Sequence, residues 1–533
     1  MEHRNLHSPS PLEASPAPAP AHRSDPQVSP DGRPPSRLPW PSRPVCLLVA
    51  LVLALAVLVV GPRTPRLDDA VSGDRALAAQ VHDILGSDLT GATALHVSVI
   101  TPDGVRHAGL GHDSSDHVPA ADTPSGLASV TKTFTGQLLA DAVTRGEVSE
   151  DDRLETYLPE LTGTPTGGTT LGELASHRAG LPLFPPGVMP RIYADFFTGW
   201  GDTASVTTEE FISRVGKASL TDRGTYSYSD LGATLLGHAL ARATGYGSWG
   251  ELVSDRLLKP VGMTHTVFAS TRSQIPGDAV PGNAGNGRNV MPWVGEGSLP
   301  SGAATWTTPA DMAAYAQALL VGTAPGGTRA MEPRWDADDG QRVGLAWHSE
   351  EIDGRTVAEH DGGAPDFATM LMIDSARQVA VYVTADTFSP LPRLLAKQLI
   401  QDPQTPLTRP GLSESFKAPQ SIATAIIGAL AVVAVLMELV SAERLRSRAT
   451  LAAGLADLTA WALVGAVLGP WDVVPSWTFV LLAAAAIYAA LRMLVRWRTL
   501  PWLPARLRWW AWMRLVLAVA WLMAAVFIAW PKA

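Results

Sequence analysis

Apolar residues are bunched along this chain, and the bunching limits what it can fold into more than any other feature does. Four nearly charge-free apolar stretches, residues 422–440, 451–468, 477–495 and 515–530, follow one another with short loops between them. Each has the length of a helix that crosses a hydrocarbon layer of about 30 Å. A fifth run, residues 45–60, stands near the start, so the long segment between has to fold as a separate unit. Arginines orient the set: Arg33, Arg37 and Arg43 precede the first run, Arg444, Arg446 and Arg448 follow the second, and Arg492, Arg496, Arg498, Arg506, Arg508 and Arg514 lie around the last two. The loop 469–476 carries only Asp472. With basic loops inside, residues 62–416 and the C-terminus face outward. The expected organisation is a disordered cytoplasmic tail (1–44), rich in Pro, Ser and Ala without an apolar period, then an uncleaved signal anchor (45–62). An extracytoplasmic domain (67–405) and a four-helix transmembrane region (419–531) follow, which makes a multi-pass protein of the cell membrane.

Composition narrows the chemistry of the outer domain. Cys46 is the only cysteine and opens the first apolar run, so the outer domain has no disulfide, no thiol nucleophile and no cysteine metal site. The formal net charge is −9 although many arginines sit in cytoplasmic loops, which leaves the outer domain acidic. Nucleic acid is not an expected partner. No Gly-rich phosphate loop and no His-Glu metal spacing argues otherwise.

Leu95-His96-Val97-Ser98-Val99-Ile100 alternates like a strand, and Thr101-Pro102-Asp103-Gly104 turns it into a second. Residues 67–86 read as a helix packed on the domain. Farther on, Leu127, Val130, Phe134, Leu138 and Ala142 recur at three or four residues, which predicts an amphipathic helix to about Arg145 with a stop at Gly146. This helix carries Ser129 and Lys132. Positions i and i+3 are neighbours on a helix, so the lysine lies where it can relay the proton a serine loses on attacking a carbonyl. A lone Ser-x-x-Lys is weak by itself, since most such pairs are exposed polar neighbours. Tyr226-Ser227-Tyr228-Ser229-Asp230 leads into another helix, where Ser229 or Asp230 would cap the N-terminus whatever else it did. His177 reads as structural, and residues 184–219 show no clear period. Val357-Ala358-Glu359-His360 reads as a strand ending in Asp361-Gly362-Gly363, and residues 368–373 and 378–383 as two more. Strands at both ends with helices between predict an α+β fold. Its first hairpin joins its last strands in one antiparallel sheet, flanked by helices and a helical subdomain.

Taken in order, these pieces resemble the serine β-lactamase and penicillin-binding-protein superfamily, in the branch with class C β-lactamases, D-amino-acid peptidases and related esterases. The resemblance spans residues 72–401. It rests on Ser129-Val130-Thr131-Lys132 for Ser-x-x-Lys, Tyr228-Ser229-Asp230 for Tyr-x-Asn, and His360-Asp361-Gly362 for Lys-Thr-Gly or its His-x-Gly variant. His177-Arg178-Ala179-Gly180-Leu181-Pro182 and Lys259-Pro260-Val261-Gly262-Met263-Thr264 also look like the family. The resemblance implies Ser129 as nucleophile, with Lys132, Tyr228 or both as proton acceptor. It implies an oxyanion hole from the backbone N–H groups of Ser129 and Gly363, substrate contacts from Asp230, His360 and Gly362, and no cofactor.

Two residues depart from the pattern. Asp230 stands where the family usually has Asn and, ionised, accepts hydrogen bonds but donates none. His360 stands where lactamases have Lys and is charged only when protonated. The expectation is a membrane-anchored serine hydrolase that cleaves an uncharged ester or peptide-like amide through an acyl-enzyme on Ser129. A penicillin-binding D,D-peptidase or β-lactamase is the second reading. A non-catalytic membrane sensor is the third, because four C-terminal spans exceed what tethering needs. The expected partners are a small ester, amide or peptide substrate and the lipid bilayer.

Overall fold

The computed structural model describes residues 42–401, apart from 186, 189, 193–205 and 217, and residues 419–529, apart from 443, 446, 472–473 and 505–507. Residues 1–41 of the expected disordered tail (1–44) lie outside the described residues, and residues 43 and 44 already belong to the first helix. Helix α1 (Arg43–Val60) is apolar throughout and leads by a short link to β1 (Val71–Gly73) and α2 (Arg75–Leu85). Residues 67–86 are thus not one helix. Asp74 ends the strand and caps the helix, accepting hydrogen bonds from the Ala76 and Leu77 N–H groups.

The expected hairpin forms as β2 (Ala94–Thr101) and β3 (Gly104–Gly111). Three very short strands, β4 (Ser125–Gly126), β5 (Val267–Phe268) and β6 (Thr305–Thr307), make a small second sheet. The remainder of the large sheet comes from β7 (Trp335–Asp336), β8 (Arg342–Val343), β9 (His348–Ile352), β10 (Arg355–Gly363), β11 (Ala368–Asp374) and β12 (Val379–Ala385). Its order is β1-β3-β2-β12-β11-β10-β9-β8-β7, and every pairing is antiparallel. The first hairpin meets the last strand as expected, with Val97 opposite Val383 and Ile100 opposite Ala380. Residues along the central strands alternate between two cores. Met370, Val381 and Val383 face α2, whereas Leu371, Ile373 and Tyr382 face the helical side.

Helix α3 (Lys132–Thr144) runs through that second core. It is not amphipathic as expected, because every residue from Lys132 to Ala142 is buried. Enclosure on all sides is possible because its polar side chains find partners: Thr133 Oγ1 donates to Val130 O at 2.7 Å and Gln137 Nε2 to Pro325 O at 2.7 Å. Around it pack α4 (Thr208–Val215), α5 (Asp230–Ala243) and α6 (Pro309–Leu320). Helix α7 (Leu391–Ile400) covers the opposite face of the sheet with α2.

Four further helices follow: α8 (Pro419–Ser441), α9 (Arg448–Leu468), α10 (Phe479–Arg496) and α11 (Arg508–Ala529). Each lies in an apolar segment long enough to cross a membrane, and α1 is a further apolar helix near the start of the chain. Helix α1 packs against α10, with Ala54 beside Phe479 and Ala483. Thr64 Oγ1 donates to Trp471 O at 2.9 Å and Asn286 Nδ2 to Val467 O at 2.7 Å. The α+β domain therefore touches the helices at the end that carries the arginine-poor loop.

Candidate active site

Ser129 stands on a single 3₁₀ turn, Ala128–Thr131, rather than in the α-helix itself, which begins at Lys132. The turn is strained: Ala128 has φ +50, a left-handed conformation that costs a non-glycine residue about 1–3 kcal/mol. Neighbouring strands hold it. Leu127 N donates to Thr305 O at 2.9 Å, and Thr369 Oγ1 donates to Leu127 O at 2.8 Å. Gly362 lets β10 lie flush against this turn, because a Cβ there would meet Thr369 Oγ1 at 2.1 Å and Leu127 O at 2.7 Å. The structure places Gly362 as a buried close-approach residue. The following residue, Gly363, reaches the surface.

Lys132 is wholly enclosed, at 0% exposure. Its Nζ donates to Ser129 Oγ at 2.8 Å and to Ser301 O at 2.7 Å. It also forms an ion pair with Asp230 Oδ1 at 2.7 Å. Burial pulls the lysine below its usual pKa while the Asp230 carboxylate resists, and burial wins. The ammonium also sits 5.2 Å from the centre of the Tyr228 ring. The Tyr228 hydroxyl lies near enough to the Ser129 side chain for that neighbour to oppose its shift. Burial and then the Asp230 charge push this phenol well above its usual range, so it stays protonated. Asp230 is the first residue of α5, and Ser229 is the cap, its Oγ accepting from Gly232 N at 3.0 Å.

Behind Tyr228 lies a cluster of three imidazoles. His177 stands 4.5 Å from the Tyr228 ring, His348 lies 5.4 Å from His360, and His360 lies 6.4 Å from Tyr228. His177, with φ +55, accepts a hydrogen bond on Nδ1 from Ser229 N at 3.2 Å and so fixes the Tyr228-Ser229-Asp230 segment. Its structural reading stands, but it supports the site directly. His348, paired with the Tyr226 hydroxyl at 2.8 Å, went unread in the sequence because β9 gave no recognisable signal. His360 is at 0% exposure, and its Nδ1 bonds Asp361 O at 2.7 Å. Burial drives His360 well below its usual pKa. Its ring therefore does not gain charge near neutral pH, and the expected pH-conditional contact with a substrate carboxylate has no basis in this placement.

On the other side of Ser129 opens a mostly apolar pocket. Ser129, Asp230 and Gly363 stand at its wall with Phe184, Leu231 and Trp293. Among the described residues no group of three or more metal-binding side chains is placed to hold an ion.

A family model described as Beta-lactamase matches residues 97–404. The chain belongs to the beta-lactamase family. Among its relatives is the D-alanyl-D-alanine-carboxypeptidase/endopeptidase AmpH of Escherichia coli strain K12, 26% identical over 51% of this chain and 69% of the relative. Another is a human protein named putative beta-lactamase-like 1, 28% identical over 63% of this chain and 69% of that protein. A class C beta lactamase from Rhodobacter sphaeroides shares the fold, with a TM-score of 0.51, 20% identity and coverage of 61% of this chain and 98% of the other. The beta-lactamase family is one of serine hydrolases, so the family and the α+β fold agree with the reading of the sequence. The match lies between α1 and the four C-terminal apolar helices.

Proposed function

We propose that this protein is a membrane-anchored, outward-facing serine hydrolase that cleaves an ester or a peptide-like amide through an acyl-enzyme on Ser129. One observation carries the reading: a fully enclosed lysine with a lowered pKa lies 2.8 Å from a serine hydroxyl on a strained turn. Lys132, in its neutral form, is the better base, because Tyr228 is held protonated and so is not the phenolate that would take the serine proton. As Ser129 Oγ bonds to the substrate carbonyl carbon, its proton passes to Lys132, and the oxyanion rests between the N–H groups of Ser129 and Gly363. Collapse expels the leaving group, which takes the proton from Lys132 directly or through Tyr228, leaving the lysine neutral. Water, giving a proton to Lys132, then attacks the ester carbonyl on Ser129, and Ser129 Oγ takes that proton back as the acid leaves.

Outward placement is supported by the contacts of Thr64 and Asn286 with the end of the helices that bears the arginine-poor loop. A D,D-peptidase activity is the second reading, favoured by the printed activity of the Escherichia coli relative. Membranes holding wild type or Ser129→Ala, treated with a fluorophosphonate probe and a fluorescent penicillin, test both. The wild type should take the fluorophosphonate and the variant should not. Labelling that survives Ser129→Ala rules the reading out, and strong penicillin labelling of the wild type moves it toward the peptidases.

A further inference from the structure

We propose that the acyl half of the substrate is apolar: the carbonyl that Ser129 attacks is carried on a medium-length aliphatic or aryl group that fills the pocket beside the serine. This rests on the reading of Ser129 as nucleophile. A carbonyl whose oxygen lies between the Ser129 and Gly363 N–H groups has both of them at the pocket wall, so one of its substituents enters the pocket. The leaving group is not that substituent. It needs a proton from Lys132 or Tyr228, and neither of these lines the pocket. Geometry thus separates the two halves of the substrate, with the leaving group toward the polar side and the acyl group toward the apolar one.

The walls match an uncharged chain. Phe184, Val188, Phe211, Leu231 and Trp293 stand among the lining residues. Two charged residues reach the pocket, and each already has a partner: Asp230 pairs with Lys132, and Arg214 with Glu210 one turn earlier on α4. A carboxylate on the acyl group would therefore enter with no free cation among the described lining residues. Thr234 adds one polar detail. It lies one helical turn beyond Asp230 on α5, is 1% exposed, and its Oγ1 has no hydrogen-bond partner among the described residues. The acyl group that fits best is apolar along its length, with one hydroxyl, carbonyl or amide about a helical turn from the scissile bond.

The experiment uses the full-length protein in detergent and p-nitrophenyl esters from acetate to octanoate, with Ser129→Ala as blank. Each methylene placed in an apolar pocket favours binding by about fourfold. Incomplete contact lowers that, so kcat/KM should rise at least about tenfold from acetate to hexanoate. Val188→Trp, at a partly exposed wall position, should cut the hexanoate-to-acetate ratio several-fold, and Phe184→Asp should do the same by placing a charge there. A flat or falling series in wild type whose Ser129 is labelled by diisopropyl fluorophosphate overturns the inference and leaves the hydrolase reading standing. A rising series whose slope neither variant changes also overturns it, since the selectivity then arises elsewhere. No labelling and no turnover of any ester removes the hydrolase reading and the inference together.

Discussion

The two sides of Ser129 are built on opposite principles. On one side Lys132, Tyr228, His177, His348 and His360 are crowded together with ring contacts of 4.5–6.4 Å. On the other an apolar pocket is left open. The crowded side is governed by charge: burial and the Asp230 carboxylate decide which group holds a proton. The open side is governed by shape. Within this division a change of pH should act on the chemistry and a change of side-chain volume on the choice of substrate.

The sharpest way to break the comparison is Lys132→Met. It removes the group that bonds Ser129 and strands the Asp230 carboxylate, so kcat/KM for the best ester should fall by about 10²–10⁴. A loss below about tenfold would place the base elsewhere. Asp230→Asn sharpens it. A carboxylate beside an ammonium favours the charged form, so removing the charge lets Lys132 lose its proton more readily. The acidic limb of the pH profile of kcat/KM should move to lower pH by about one unit or more, while the preference among acyl chain lengths stays the same. A limb that does not move separates Lys132 from the observed titration.

A third test concerns the turn that follows Gly363. Asp366 is buried in it, and burial lifts its carboxyl from 3.8 to about 7. A raised folded pKa favours the protonated fold. The stabilisation is complete below 3.8 and is lost as pH climbs to about 7, at no more than about 1.4 kcal/mol per pH unit. Thermal melts of wild type and Asp366→Asn between pH 4 and pH 8 should show wild type losing ground to the variant up to about pH 7. Parallel melting curves would contradict the burial of this group.

The crowded side was largely legible beforehand and the open side was not. Ser129, Lys132, Tyr228, Asp230, His360 and Gly362 announce themselves through short motifs, because their roles depend on fixed local spacing. The pocket is assembled from Phe184, Phe211, Leu231, Trp293 and Ala364, which no spacing rule connects. Part of its wall belongs to the stretch 184–219, where no period was visible. The enclosure of α3 was hidden for a related reason: its polar residues are satisfied by loops at Pro300, Pro325 and Gly327, distant in sequence. In the sheet, β2 is legible from alternation, β3 from the turn before it and β10, β11 and β12 from short strand-like runs, although the central strands are buried on both faces.

The pairing of β2 with β12 also sets a timetable. Roughly 280 residues separate these neighbours, so at about 5–20 residues per second the ribosome needs tens of seconds to supply the partner. Through that interval the nascent hairpin can pair its inner rungs but leaves one edge of β2, a strand buried in the finished fold, without a mate. Such an edge invites other chains. Production of this protein should accordingly be more sensitive to synthesis rate and chaperone supply than its final stability suggests, and a circular permutant that puts β12 directly before β2 should relieve that sensitivity.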